Sequence, residues 1–587
     1  VSGATGPDVT AGRPAQPGRP AGRNTGRPVP PLWRLWGAAR GVRGRLFGAA
    51  VIGALASGCA VALMATSAWL IARAAQQPPV LYLMVAIVAV RAFGIGRGIF
   101  RYLVRLVSHD AAFRVLARLR ERLVGQLALI APAGLPLWRK GDLLARTVDD
   151  VADAGDAFLR GLLPLAGAVL VCGGTLVLAF FILPAAGIAL AVALVLACIA
   201  APLITARRNA RIEYEVVEQR ANRTRLVTEL LDELPELTVL GAVDGRLADL
   251  DTVERASRRV AAGTARAAGI AAALAVLSMG AALWLAARFG VPAVVDGSLQ
   301  PVLLAVVVLT PLALTDTVQA VGVAASTLRR SSAAVGRLFQ VLDTQPVTAA
   351  PVEHPAPLPV SPSGPQIRLR GVSARWPSAD RDALTCVDLD LLPGQRMVVL
   401  GESGSGKSTL LAVLLGFLSP TAGSITVDGV DVAELDPDEV RTLFAWCDQR
   451  PHLFDSSLAE NIRLARPAAD DDEVESAIRA AGAGRWLDGL PDGVATRVGE
   501  HGQAVSGGER QRIALARAVL ADRPVLLADE PAAHLDPVTA DAVTDFILQT
   551  RPGRGVVLVT HRPQDAALAD VVVHLDRGRR VGAGPAA

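Results

Sequence analysis

Arg396-Met-Val-Val-Leu-Gly-Glu-Ser-Gly-Ser-Gly-Lys-Ser-Thr409 passes from a strand-like run straight into a glycine-rich loop, and the rest of the 587-residue chain can be read outward from it. The loop matches GxxxxGK[ST] at a strand-to-helix transition. Gly401, Ser403, Gly404 and Gly406 form a turn whose backbone N–H groups can close around phosphates at a helix N-terminus. Lys407 adds a point charge for the outer phosphates, Ser408 a hydroxyl suited to Mg2+, and Thr409 completes the pattern. The lysine is itself informative, because of 59 Lys and Arg residues only Lys140 and Lys407 are lysine. A compact ammonium fits this position better than a planar guanidinium fork.

Downstream, Val525-Leu-Leu-Ala-Asp529-Glu530 reads as a buried strand ending in two carboxylates. Asp529 suits a Mg2+ shell and Glu530 can polarise an attacking water. Upstream of them, Val505-Ser506-Gly507-Gly508-Glu509-Arg510-Gln511-Arg512 opens a helix pattern and offers a second set of bare amides at a positive dipole end. Two such helix starts are redundant for a single nucleotide. In order and spacing these residues resemble the ATP-binding-cassette family, whose second start grips the γ-phosphate of the nucleotide on the partner domain. The resemblance runs from residue 367 to the end. It implies ATP as the nucleotide, Mg2+, and hydrolysis. It also implies that Gln449 senses the Mg2+ and signals to the membrane domain, that Asp536 acts across the interface, and that His561 contacts the γ-phosphate. Trp376, in Ala-Arg-Trp-Pro, falls where an aromatic stacks on adenine; tyrosine is more usual, but indole offers a larger face. Val505 stands for the common leucine, and Thr496-Arg-Val-Gly-Glu500 resembles a segment typical of exporters.

Composition fits a chain in two halves. It is 51% hydrophobic with mean hydropathy +0.39 and a net charge of +4, which excludes collagen-like, disulfide-scaffold and fully disordered classes. The near balance of charge gives no basic stripe for nucleic acid. Five cysteines without a CxxC pair suggest neither a disulfide framework nor a zinc site. Residues 1–30 read as a disordered tail with no secretory signal. Residues 31–343 read as a transmembrane domain: an interfacial helix around Trp33 and Trp36, then apolar runs at 46–71, 80–103, 159–183, 185–206, 267–288 and 299–323. Short loops join runs 1 and 2, 3 and 4, and 5 and 6, whereas long arginine-bearing helical loops follow runs 2 and 4. The positive-inside rule puts those loops and both termini in the cytoplasm, with the bilayer as a partner. Parts of the loops, around 138–149 and 231–241, look like coupling helices. A Pro-rich linker spans 344–366 and an α/β domain 367–587. The expected fold class is therefore multidomain, a six-helix all-α transmembrane domain followed by an α/β P-loop ATPase domain.

The second run is unusual. Arg91, Arg97, Arg101, Arg105 and His109 share one third of a helix circumference at about 100° per residue. Charges at membrane depth mark a path for cargo, although the three nearest the cytoplasmic end also suit simple snorkelling. Imidazole flanked by guanidinium suits a haem, iron to nitrogen and arginine to propionate. Arg101-Tyr-Leu-Val-Arg105-Leu-Val-Ser-His109-Asp110-Ala-Ala-Phe-Arg114, with Thr66-Ser67-Ala68-Trp69-Leu70, resembles the CydC-type subunits of bacterial CydDC transporters, which support cytochrome bd assembly. That resemblance implies a bacterial inner-membrane location, a heterodimer with a CydD-type chain, and haem or small thiols (cysteine, glutathione) as cargo. It makes Arg105 and His109 the haem contacts. A lipid or multidrug exporter half, and a haem-sensing ATPase that does not transport haem, remain the alternatives.

Overall fold

The computed structural model describes residues 29–582 apart from 136–142, 145, 347–353, 360, 378, 500–504, 534–536 and 550–552, and apart from the side chains of 208–221 and 225. Each apolar run falls, but for a residue or two at an end, in a helix long enough to cross a bilayer: Arg40–Ala74, Val80–Ile130, Arg146–Ile182, Pro184–Arg207, Val243–Val295 and Pro301–Leu342. Two of these have 51 and 53 residues, so at ~1.5 Å per residue each is more than twice as long as the ~30 Å hydrocarbon layer is thick. The long loops of the sequence are thus largely continuations of the spanning helices. Between the third and fourth helices, Pro184 forces Leu183 out of the helical region (φ −147°, ψ 100°). Gly187 then lies so close to Phe180 that a Cβ would meet its Cα at 2.7 Å, which allows a tight hairpin.

The chain divides into two compact units. The first comprises residues up to Leu119 with Asp149–Phe339, and the second Arg120–Val148 with Gln340–Ala587. Within the first, the core is built of small and branched residues, including Val171, Ala179, Leu190, Ala193, Ala275, Met279, Ala282, Leu314 and Val318. Small residues are what let helix backbones approach closely where lipid supplies no hydrophobic drive. The short helix Pro31–Ala38 buries Leu35 and leaves Trp33 outward, while Arg34 stacks 3.9 Å above the Phe339 ring.

In the second unit, a four-stranded antiparallel sheet has the order β2-β1-β4-β5, with β1 Ile367–Ala374, β2 Leu384–Leu391, β4 Ala422–Val427 and β5 Val430–Asp431. A six-stranded sheet has the order β10-β9-β3-β8-β7-β6, with β3 Arg396–Leu400, β6 Phe444–Cys447, β7 Val525–Asp529, β8 Gly555–Thr560, β9 Val571–Asp576 and β10 Arg579–Arg580. From β9 to β6 its strands are parallel. Their near-continuous apolar runs are those of strands covered on both faces. Alternate residues enter different cores: Met397, Val399, Leu527 and Val559 join the one that includes helix Lys407–Leu414, whereas Val398, Leu526 and Leu558 join the one that includes helix Gly507–Ala521. Ala133, from the turn after Ile130, belongs to the first of these cores, and Gln126 Nε2 donates to Thr344 O at 2.7 Å.

Candidate functional site

Parallel pairing assembles the site. Leu400 lies opposite Thr560, Asp529 opposite Val559 and Cys447 opposite Ala528, so four strands end along one edge of the sheet. The residues just past those ends are the P-loop, Gln449, Glu530 and His561. Ligands bind at such carboxyl edges in parallel α/β sheets.

The P-loop needs its glycines. Gly404 and Gly406 have φ of +83° and +105°, and a Cβ on Gly401 would sit 2.4 Å from both Leu575 O and Ser405 Oγ. Ser403 occupies the loop between Gly401 and Gly404, and Gly406 caps helix Lys407–Leu414. Lys407 is buried, and its Nζ donates to Gly401 O at 2.7 Å and Glu402 O at 2.9 Å. The loop's own carbonyls hold the ammonium in place. Ser408 Oγ donates to Asp529 Oδ2 at 2.9 Å. Burial pushes the Asp529 carboxyl above its ordinary range; the Ser408 hydroxyl draws it back and neighbouring Glu530 adds to the rise. Gln449 Nε2 donates to Glu530 Oε2 at 2.7 Å, and His561 Nδ1 lies 3.9 Å from Glu530 Oε1. Glu530 has φ +46°, a left-handed conformation that non-glycine residues keep only when their surroundings enforce it. Its N–H donates to Val559 O at 2.9 Å and its carbonyl accepts from Ala533 N at 3.0 Å. Hydroxyl, carboxylate and carboxamide oxygens from Ser408, Asp529 and Gln449 form a hard donor set that fits Mg2+ beside phosphates.

Trp376 is half-buried against the core that contains the P-loop helix, and its indole N–H donates to Thr409 Oγ1 at 3.1 Å. Pattern reading gives the position of Trp376 but not this anchor, which fixes the ring plane. Helix Gly507–Ala521 starts with a capping box: Ser506 Oγ accepts from Glu509 N and Ser506 N donates to Glu509 Oε2. The N–H groups of Gly507 and Gly508 are left to an outside anion. This helix belongs to the other core, so the two phosphate-type helix starts are built on opposite faces of the sheet. Gln511, one turn into it, donates to Asp448 O at 3.1 Å. It lies against Cys447, whose thiol burial pushes up to about 12. Asp536 lies outside the described residues, as do Glu500 and residues 138–142 of the first coupling segment.

In the membrane half, Arg105 and His109 share helix Met84–Ile130, and both are exposed. His109 Nδ1 is 2.9 Å from Arg105 O. A carbonyl can only accept, so Nδ1 carries a hydrogen in this contact, which leaves Nε2 as the ring nitrogen outside it. Sequence reading missed Asp316. The signal was available, because it is the sole carboxylate in the six apolar runs.

This combination defines a membrane-embedded P-loop ATPase. The ABC transporter family model matches residues 384–533, and that of the ABC transporter transmembrane region matches 47–315. The glutathione/L-cysteine transport system ATP-binding/permease protein CydD of Bacillus subtilis is 32% identical over 561 residues, covering 90% of this chain and 91% of that protein. The corresponding CydC protein of Escherichia coli is 31% identical over 508 residues, 85% and 86% of the two chains. The mycobactin import ATP-binding/permease protein IrtB of Mycolicibacterium thermoresistibile is 39% identical over 259 residues, 42% of this chain and 44% of that protein. The fold is that of a bacterial Atm1-family ABC exporter solved with ATP bound (TM-score 0.78, 24% identity, 93% and 95% of the two chains). The chain belongs to the ABC transporter family: a multi-pass membrane protein that binds ATP with Mg2+ and hydrolyses it.

Proposed function

We propose that the chain is one half of a heterodimeric exporter that moves small thiols, cysteine or glutathione, across the bacterial inner membrane in support of cytochrome bd assembly. The observation that carries this reading is coverage. The relatives matched along 85–90% of the chain are the glutathione/L-cysteine transport proteins, whereas the mycobactin import protein matches 42% of it. Matches to both a CydD and a CydC protein favour an unlike pair. An apolar cargo has no use for exposed guanidinium and carboxylate groups in the spans, which weighs against a lipid or drug exporter.

In this reading Gly401, Ser403, Gly404, Gly406 and Lys407 hold the phosphates, and Trp376 stacks on the adenine with its plane set by Thr409. Ser408, Asp529 and Gln449 are the residues that would hold Mg2+, which when bound supplies charge neutralisation to the phosphates. Glu530 takes the proton of the attacking water, oriented by Gln449, while His561 contacts the γ-phosphate. Ser506, Gly507, Gly508 and Asp536 serve the nucleotide held by the partner. Closure reaches the membrane half through tips such as helix Leu234–Val239, where Val239 and Leu240 stand 88% and 70% exposed.

A second reading, haem bound at His109, is favoured by the ring's placement beside Arg105, with Nδ1 on the Arg105 carbonyl and Nε2 outside that contact. ATPase stimulation in lipid nanodiscs, with the partner chain present, tests both. Cysteine and glutathione are expected to stimulate turnover, and a flat response contradicts the thiol reading. Haem titration followed by absorbance should lose its imidazole-ligated spectrum in His109→Ala; an unchanged spectrum removes the haem site.

A further inference from the structure

We propose that Arg97 and Asp316 form a recognition pair for a zwitterionic cargo, one carrying both a free carboxylate and a free ammonium group. The proposal deepens the thiol reading and rests on it for the choice of cargo, but not for the site. Arg97 lies on helix Met84–Ile130 and Asp316 on helix Pro301–Leu342, with Nη2 and Oδ2 3.9 Å apart. That is close enough to hold the charges opposite one another, yet longer than a hydrogen bond. The Asp316 side chain is 89% exposed and that of Arg97 38%.

A pair built only to neutralise charge looks different in this same unit. Arg337 donates from Nε to Asp150 Oδ2 at 3.0 Å, and the Asp150 side chain is 7% exposed. The Arg97–Asp316 pair is open and unbonded where that one is closed. A carboxylate at membrane depth does not face lipid; it faces a bundle interior or a watery path. Asp316 lies on an exposed row with Leu312 and Gln319, and Arg101 extends the guanidinium face one turn beyond Arg97. An ammonium group fits Asp316, and a carboxylate fits the fork of Arg97 and Arg101. A cargo with a single charge leaves one member of the pair unmatched.

The test uses the full chain with its partner in nanodiscs and reads ATPase half-saturation for four probes. These are cysteine, serine (a zwitterion without thiol), N-acetylcysteine (ammonium blocked) and cysteamine (no carboxylate). Wild type should require at least about tenfold more N-acetylcysteine or cysteamine than cysteine. Asp316→Asn should bring cysteine to the N-acetylcysteine level, Arg97→Gln should bring it to the cysteamine level, and Asp316→Glu should restore part of the preference. Equal response of wild type to cysteine and N-acetylcysteine overturns the proposal, and this comparison stands even if a variant fails to assemble. Recovery of the cysteine response in the double variant Arg97→Met/Asp316→Met also overturns it, because that marks a purely structural pair. The two readings separate: an Asp316-dependent response to serine, with no advantage for thiols, keeps the pair and removes the thiol cargo. Thiols acting regardless of ammonium and carboxylate keep the cargo and remove the pair.

Discussion

Asn461 offers the sharpest test of how the segment after Gln449 is held. It is 1% exposed on helix Leu458–Arg463. Its amide donates to Phe454 O and Ser457 O, both at 3.0 Å, and its oxygen accepts from Phe454 N at 2.9 Å and Arg517 Nη2 at 2.8 Å. Arg517, on helix Gly507–Ala521, also donates to Asn461 O and His452 O, both at 2.7 Å, and burial pulls its guanidinium below the ordinary value. Asn461→Leu keeps the approximate volume and removes four bonds. The two carbonyls retain backbone donors, Ser456 N at 2.7 Å and Asn461 N at 3.1 Å. The loss that counts is therefore two partly buried donors, Phe454 N–H and one N–H of Arg517. At ~1–2 kcal/mol for each orphaned group, the low end of the range because neither is fully buried, the cost is about 2–4 kcal/mol. That corresponds to a cassette melting point lower by roughly 5–15 °C for a domain of this size. Asn461→Asp keeps the acceptor for Phe454 N–H and Arg517 but sets a carboxylate oxygen against the Phe454 and Ser457 carbonyls, so it should destabilise as well. Differential scanning fluorimetry of the detergent-solubilised full chain reads both. If Leu shifts the melting point by less than about 3 °C, this clasp does not fasten the two helices.

Three further outcomes are expected. Glu530→Gln should lower ATP turnover by about 10²–10⁴-fold while leaving nucleotide binding intact; ordinary turnover with both bases of the dimer replaced contradicts its role. Thr409→Val frees the indole of Trp376 and should weaken ATP binding by about 2–10-fold, less than Trp376→Ala at roughly 5–150-fold, as read by displacement of a fluorescent nucleotide. Asp570 accepts from Arg396 Nη2 at 2.6 Å and from Arg396 N at 2.9 Å, and Arg396 holds its carboxyl below the ordinary range. A lowered folded-state pKa means stability that is present above the ordinary carboxylate range and lost as pH falls through the depressed value. Asp570→Asn should thus melt lower near neutral pH by about 0.5–1 kcal/mol, the pair being partly exposed, and the two proteins should converge on acidification.

The sequence was most readable where a local pattern carries the chemistry. The P-loop, the Asp529-Glu530 strand end and Ser506-Gly507-Gly508 are contiguous, and composition alone marks six spanning runs. What escaped depends on residues far apart in the chain. The anchor from Trp376 to Thr409 links two separate motifs, and the clasp of Asn461 on Arg517 joins helices whose pairing follows from the shared core. Asp316 was a different kind of miss. A single acidic residue in an apolar run is visible in sequence, but its meaning comes from Arg97 lying opposite on another helix. The apolar runs at 80–103 and 267–288 also stop short of the helix ends, because polar residues beyond the bilayer end the apolar run without ending the helix.

The central claim, that closure of this ATP site drives thiols across the membrane, is tested most directly with inside-out vesicles carrying the chain and its partner. Labelled cysteine or glutathione supplied outside should accumulate inside with ATP, fail to accumulate when Glu530→Gln is paired with the same change in the partner's base, and be competed by the unlabelled thiol. ATP-independent equilibration, or vesicles that hydrolyse ATP yet accumulate neither thiol, would contradict it.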